Sequence, residues 1–590
     1  MTLLLRAGHV LLCTAVLGVA SPACYTAGNG TPPPMNSFYY PTGLAVSSGG
    51  NVLYAINSDF DLQWNGGTLQ SYDLFKVRRD AAALVQANLT NAATPPAGVP
   101  FVDSWMPSCL SQPPPPDQEG LGVQLLQGCA PPVDSTQYVR DSAIVGAFAT
   151  DLQLSMGSIG STELLFAPMS GNATLLWTKI AADDPGSSPQ EGSSTAFSAF
   201  TLDCPTANER VDGRCDSNHQ VGNDPNSVDN TRNVTMPGEP FGMAQSEDGT
   251  AIAVTAESDT KTSLLTSGFG EFNRIANRPS DFPTLQFVLD GLPQGGVAIA
   301  AVPHDRYAVT RCEDVHNQEP CIRQAFLQTS RSSNEVDLDR YYDDDGSSLY
   351  RPFLIKERTP SIDSNLGGSD FRGIAIDPTP RIACEATASS DQARIDCGRI
   401  PARLFIASRT PPSLVYGQMG QVNGDGSYDP DAIVVQGNVP LPPGPSKVYL
   451  APVIMPDNHG VGRLQLRVFV VLYDSSAVAV VDPSQSPPWV EKIISTGPGP
   501  YSMAFDPFCF SAQCASPFAL DDVATNQTVP ADTRQPAGLG LRRYRFGYVG
   551  IFRHSYVQAV DLDQLVSVKH TFETVVFNLG VPQIPKGQSQ

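Results

Sequence analysis

A small residue followed by an apolar residue and alanine heads one β-rich segment after another along this 590-residue chain. The copies are Gly43-Leu44-Ala45-Val46, Gly146-Ala147-Phe148-Ala149, Gly242-Met243-Ala244, Val297-Ala298-Ile299-Ala300, Gly373-Ile374-Ala375-Ile376 and Ser502-Met503-Ala504-Phe505, with a looser one in Lys447-Val448-Tyr449-Leu450-Ala451. A second β-rich run follows each: 52–57, 164–170, 251–258, 306–311, 403–409, 467–475 and 546–555. A third comes at 68–74, 174–180, 263–268, 324–330, 413–419, 477–483 and 556–562, and some units add an outer run ending in Gly or Pro. A three- or four-strand meander cannot bury both of its faces alone, so seven copies must cover one another. Radial stacking does this, and small residues suit the crowded innermost strand. The expected fold is therefore all-β, a seven-bladed β-propeller over residues 38–583, with residues 584–590 as a tail.

Gly 50 and Pro 52 against 16% charged residues describe many turns and few long amphipathic helices. Long inter-strand insertions are expected at about 75–143, 181–237, 269–283, 331–370 and 508–543. The first holds an Ala-, Leu- and Arg-rich stretch, 76–89, that suits a short surface helix. The segment Pro41-Thr42-Gly43-Leu44-Ala45-Val46-Ser47-Ser48-Gly49-Gly50-Asn51-Val52-Leu53-Tyr54-Ala55 resembles the start of a YVTN-type propeller repeat, and 240–249 (PFGMAQSEDG) is similar to the same signature. The likeness spans most of 38–583 as a pattern and implies a propeller with unusually long insertions. Lactonases and some dehydrogenases are built on similar propellers, so it also implies an enzymatic alternative.

Ten of twelve cysteines fall into neighbour pairs: Cys109/Cys129, Cys204/Cys215, Cys312/Cys321, Cys384/Cys397 and Cys509/Cys514. Closing a short loop costs less chain entropy than closing a long one, so five local disulfides are expected, and with them an oxidising compartment. Residues 1–23 carry one Arg and an apolar run, Val10 to Ala20, too short for a membrane span; they read as an export signal. Cys24 is then the odd thiol at a processed N-terminus, the candidate site of lipidation, with residues 24–37 as a flexible tether. A bacterial lipoprotein signal usually has Leu where Ser21 stands, so ordinary cleavage, a free thiol or an intermolecular disulfide stay open. The expected address is the cell envelope, as an outer-membrane lipoprotein on the periplasmic or surface side, or alternatively as a secreted or periplasmic protein.

Net charge is −22. Such a surface repels nucleic acid and anionic lipid, so no nucleic-acid partner is expected and membrane contact is through the N-terminal lipid only. The chain contains no HExxH, GxSxG, Walker, GxGxxG or CxxCH sequence. No catalytic residue, metal site or cofactor is therefore assigned. The acidic turns around Asp343-Asp344-Asp345 and 423–431 lack the closing Glu of an EF-hand and read as solvated turns. The fold itself brings loops after each second strand to one mouth of the central channel. There the units offer Asp59, Glu257, Arg311, Arg409, Asp474, Arg553 and His554 as candidate ligand-binding residues. Two function classes follow. The first is a monomeric, non-catalytic propeller that binds an envelope protein, a glycan or a small polar ligand; the second is a lactonase- or dehydrogenase-type enzyme acting in the channel.

Overall fold

The computed structural model describes residues 30–90, 92–102, 130–155, 162–183, 197–204, 213–215, 217–227, 230, 232–247, 249–267, 282–303, 324–342, 351–363, 366, 368–456, 462–506, 545–564 and 571–585. Seven sheets, six of four strands and one of five, form a seven-bladed β-propeller whose blades are four-stranded antiparallel meanders. From the axis outward, blade 1 is Pro41–Val46, Val52–Asn57, Gly67–Asp73 and Val139–Val145, and blade 2 is Gln153–Leu154, Thr162–Met169, Thr174–Ala181 and Gln220–Val221. Blade 3 is Pro240–Gln245, Ala251–Ala256, Thr262–Thr266 and Thr284–Leu289. Blade 4 is Gly296–Ala301, Ala325–Ser330, Val336–Tyr342 and Phe353–Arg358, and blade 5 is Phe371–Asp377, Ala402–Arg409, Pro412–Val422 and Tyr428–Pro440. Blade 6 is Pro445–Pro456, Gly462–Leu472, Ala477–Asp482 and Trp489–Ser495, and blade 7 is Pro500–Phe505, Phe546–Ile551, Tyr556–Asp561 and Val575–Leu579.

Successive side chains of a strand point to opposite faces, and in a propeller both faces meet a neighbouring blade. This is why second strands read as unbroken apolar runs. In blade 6, Val468 and Val470 pack against blade 5, whereas Phe469 and Val471 pack against blade 7. The core is accordingly seven apolar layers, one at each blade interface. The two segments that resemble a YVTN repeat form the same turn between inner and second strands. Ser47 and Ser246 accept at their hydroxyls from the N–H of Val52 and Ala251, both at 2.9 Å, and Gly50 and Gly249 take the left-handed conformation that closes the turn.

Four expectations change. In blade 4 the second strand is Ala325–Ser330, expected as the third, while 306–311 lies outside the described residues. The third strand there, Val336–Tyr342, was hidden by its charges: Asp337 and Arg340 are buried and paired with Lys356 and with Glu357 and Asp431. Blade 2 begins at Gln153 rather than at Gly146, with only an isolated bridge from Ala149 to Met169 before it. The insertion helix, Leu74–Leu89, is not on the surface. Its Val77, Ala81, Leu84 and Val85 are buried against blades 1 and 7, and Arg78 lies 3.6 Å from Asp506 of blade 7. Residues 30–37, expected as tether, run along blade 1, where Thr31, Pro34 and Ser37 give their carbonyls to Asn65 and Gln70.

Two expected disulfides are formed. Cys204–Cys215 clips the insertion of blade 2, with Cα atoms 5.0 Å apart, and Cys384–Cys397 joins helices Thr379–Thr387 and Asp391–Gly398 between the inner and second strands of blade 5, at 5.5 Å. Cys24, Cys109, Cys129, Cys312, Cys321, Cys509 and Cys514 lie outside the described residues. The ring closes where blade 1 meets blade 7. There Pro132–Val133, from the first insertion, adds a parallel strand to the outer edge of blade 7. Among the described residues no helix is long and apolar enough to cross a membrane.

Candidate functional site

One backbone hydrogen bond repeats in all seven blades and defines the mouth. The N–H of a residue at or just past the end of the second strand donates to a carbonyl just ahead of the inner strand: Ser58 to Tyr40, Ser170 to Phe148, Glu257 to Glu239, Arg331 to Gly295, Arg409 to Asp370, Tyr473 to Gly444 and Phe552 to Gly499, at 2.9 to 3.0 Å. This equivalence places the predicted residues. Glu257 and Arg409 occupy the ring position itself, Asp59, Asp474 and Arg553 come one residue later, and His554 two later. Arg311 lies outside the described residues, and blade 4 supplies Arg331 instead. The sequence held the signal for it: Thr329-Ser330-Arg331 matches Ala407-Ser408-Arg409 at the end of the second strand.

The ring divides into two unlike halves. On blades 3 to 6 the charges neutralise one another: Arg331 pairs with Glu257, Arg409 Nη2 lies 2.5 Å from Asp474, Arg372 lies 2.5 Å from Asp370 and Lys261 lies 3.3 Å from Asp259. Exposed pairs of this kind contribute little and leave little free charge for a ligand. Inside the channel Lys447 of blade 6 reaches Asp151 of blade 2 at 3.0 Å, and it also lies over the Tyr501 ring at 4.8 Å. Blades 2 and 6 are not neighbours, so this pair crosses the channel and floors the mouth.

The other half is aromatic, and charge-based reading missed it. Phe60 of the blade 1 loop is 55% exposed and stands nearly perpendicular to Phe552 and Phe148, with ring centroids at 5.3 and 5.9 Å. Phe552 is buried against Tyr40 at 4.8 Å and Tyr501 at 5.6 Å. Tyr39 packs on Tyr40 and Trp64 and donates to Asp61 at 2.6 Å. The lead-in position explains part of this arrangement. It is left-handed in six blades, with glycine at Gly295, Gly444 and Gly499 but Tyr40, Phe148 and Glu239 elsewhere. Holding a bulky side chain there costs on the order of 1 kcal/mol or more, and such strain concentrates at functional sites.

Individual residues differ in what they offer. Asp59 is fully buried, accepts from the N–H of Trp64 at 3.2 Å, and leaves Oδ2 without a hydrogen-bond partner. Burial pushes its carboxyl up to about 6, and it braces the loop rather than lining the mouth. His554 is half-buried, and burial together with the neighbouring Arg553 pushes its imidazole down, favouring the neutral ring. Arg553 is exposed; its guanidinium lies over the Tyr473 ring at 5.0 Å, and Nε donates to Tyr473 Oη at 3.4 Å. Among the described residues no three His, Cys, Asp or Glu side chains are grouped as a metal ligand set.

No family model and no curated protein matches the chain. Among solved structures it is similar to a putative 6-phosphogluconolactonase from Bacteroides uniformis, at 11% identity over 78% of this chain and 87% of that one, with a TM-score of 0.37. It is also similar to the periplasmic gluconolactonase of Pseudomonas aeruginosa (11% identity, 77% and 84% covered, TM-score 0.32) and to apo AztD from Citrobacter koseri (11%, 78% and 88%, 0.27). Likeness at this level carries no functional argument.

Proposed function

We propose that this chain is an exported propeller, anchored to the envelope through Cys24, that captures a ligand or partner non-catalytically at the aromatic half of its mouth. The observation that carries this reading is Phe60, an exposed ring held on a bed of buried aromatics beside a stacked arginine. Exposed aromatic and Arg side chains that are already ordered give much contact area at small entropic cost, the hallmark of binding hot spots. The charged half serves as a compensated rim. Among the carboxylates and amines nearest the channel, Asp151 and Lys447 hold each other and Asp59 is enclosed, which leaves His554 as the titratable group at the mouth.

The geometry also chooses the variants. Reversing Arg409 would set two acids against each other at Asp474, so it tests folding as much as binding. Phe60→Ala and Arg553→Gln leave the pairs intact. Immobilised wild type and the double variant, matched in melting temperature, are compared for what they retain from an envelope extract of the source cells. Loss of the retained species in the variant is the expected outcome. Identical retention would move the search to the long insertions.

A further inference from the structure

We infer that the aromatic half of the mouth is a subsite for a sparsely charged acidic oligosaccharide, with Arg553 taking a carboxylate and Phe60 stacking on a sugar ring. This deepens the capture reading above and rests on it. The first observation is the pattern of ion pairing. Lys261, Arg331, Arg372, Arg409 and Lys447 each have a carboxylate partner. Arg553 is held by an aromatic ring instead, with no carboxylate within ion-pair distance among the described residues. A ring orients a guanidinium without neutralising it, so Arg553 keeps its full charge and its planar fork for an incoming carboxylate. The backbone is shaped for this pose. At Gly499, φ +67°, an added Cβ would come within 2.8 Å of Arg553 Cγ, so the missing side chain is the groove in which the arginine lies.

The second observation is the platform. Phe60 presents a large apolar ring whose neighbours Phe148 and Phe552 fix its orientation. The C–H faces of a pyranose are apolar while its rim is polar, which matches an exposed aromatic ring in the same mouth as an exposed arginine. Phe60 and Arg553 are separated by Phe552 and Tyr473, through centroid steps of 5.3, 6.4 and 5.0 Å. A short oligosaccharide is long enough to touch both. The chain's net charge of −22 repels dense polyanions, which selects a saccharide with widely spaced acids.

Two tetrasaccharides test this by calorimetry on the full mature chain: one alternating glucuronic acid with N-acetylglucosamine, and the neutral N-acetylglucosamine tetramer. Wild type should bind the acidic probe at least about tenfold more tightly than the neutral one, with affinity falling as salt rises. Arg553→Gln should erase that preference by weakening the acidic probe, while Phe60→Ala should weaken both about tenfold or more. Both variants should melt as wild type does, since both side chains are exposed. Equal affinity for the two probes in wild type, or a preference that survives Arg553→Gln, overturns the inference. If neither probe binds yet the Phe60 and Arg553 variant still loses its retained species from extract, the saccharide assignment is wrong and capture at the mouth stands. A retained species that is a protein free of glycan also overturns the saccharide. If Phe60→Ala changes neither measurement, both readings fall.

Discussion

Asp339 shows how a single residue of this propeller can work against the fold. It sits in the third strand of blade 4, fully buried, and neither carboxyl oxygen has a hydrogen-bond partner. Burial, with Asp337 adding repulsion and Lys356 opposing it, pushes its carboxyl well above the usual range. The folded state therefore binds a proton that the unfolded chain releases near the ordinary carboxylate value. A raised folded value means that this group's contribution to stability falls as pH rises from about 4 towards the folded value. Asp339→Asn keeps the neutral shape and removes the titration. The variant should be more stable than wild type at pH 8, by about 1–3 kcal/mol, and equal to it near pH 4. Paired thermal melts across that interval check this, and parallel curves for the two proteins would refute it. Asp59 obeys the same sign with a value of about 6, so its effect ends lower on the pH scale.

Among the elements, the two-residue strand Pro132–Val133 is small but strategically placed. Val133 is fully buried, its strand pairs with the outer strand of blade 7, and its neighbours in the layer include residues of the helix Leu74–Leu89. One insertion of blade 1 thus closes the ring twice, by a strand and by a helix. Val133→Asp places an unpaired charge in that layer and should cost about 3 kcal/mol or more, whereas Val422→Asp, at a 51% exposed hairpin tip of blade 5, should cost little. Equal denaturant midpoints for the two variants would show that the strap bears no load. This closure was not legible in the sequence, because two residues carry no periodicity and their partner lies more than 400 positions away. Blades 3, 5, 6 and 7 were legible, since their second strands are apolar on both faces even where long insertions part them from their neighbours. Blade 4 misled for the opposite reason: Asp337, Asp339 and Arg340 give its third strand the look of a loop. A reading by charge found Arg553 and His554 but not the rings beside them. Tyr40, Phe148, Tyr473 and Phe552 stand near strand ends in the sequence and Phe60 in the loop beyond, but only the repeated backbone hydrogen bond and the ring contacts show that they converge.

For the whole molecule, the packing of Gly30 and Thr31 on blade 1 bears on how the mouth is presented. Gly30 and Thr31 give their carbonyls to Asn65, in the same blade 1 loop that carries Phe60, so Gly30 lies on the mouth side. With Cys24 acylated, as proposed, six peptide units separate the lipid from Gly30 and span at most about 20 Å. The mouth would then face the bilayer that anchors it, within reach of molecules embedded in or lying on that surface, while the opposite face, carrying the Ser47 and Ser246 turns, points away. Two measurements test this together. A fatty-acid analogue fed to cells should label wild type and not Cys24→Ala; equal labelling of both, or of neither, removes the anchor. On vesicles carrying an acceptor dye in the lipid, a donor attached at Phe60→Cys should transfer energy more efficiently than one attached at Ser48→Cys on the far face. Equal transfer from the two sites, with labelling at Cys24 intact, would mean that the anchored propeller tumbles freely and that its mouth is offered to the surrounding solution instead.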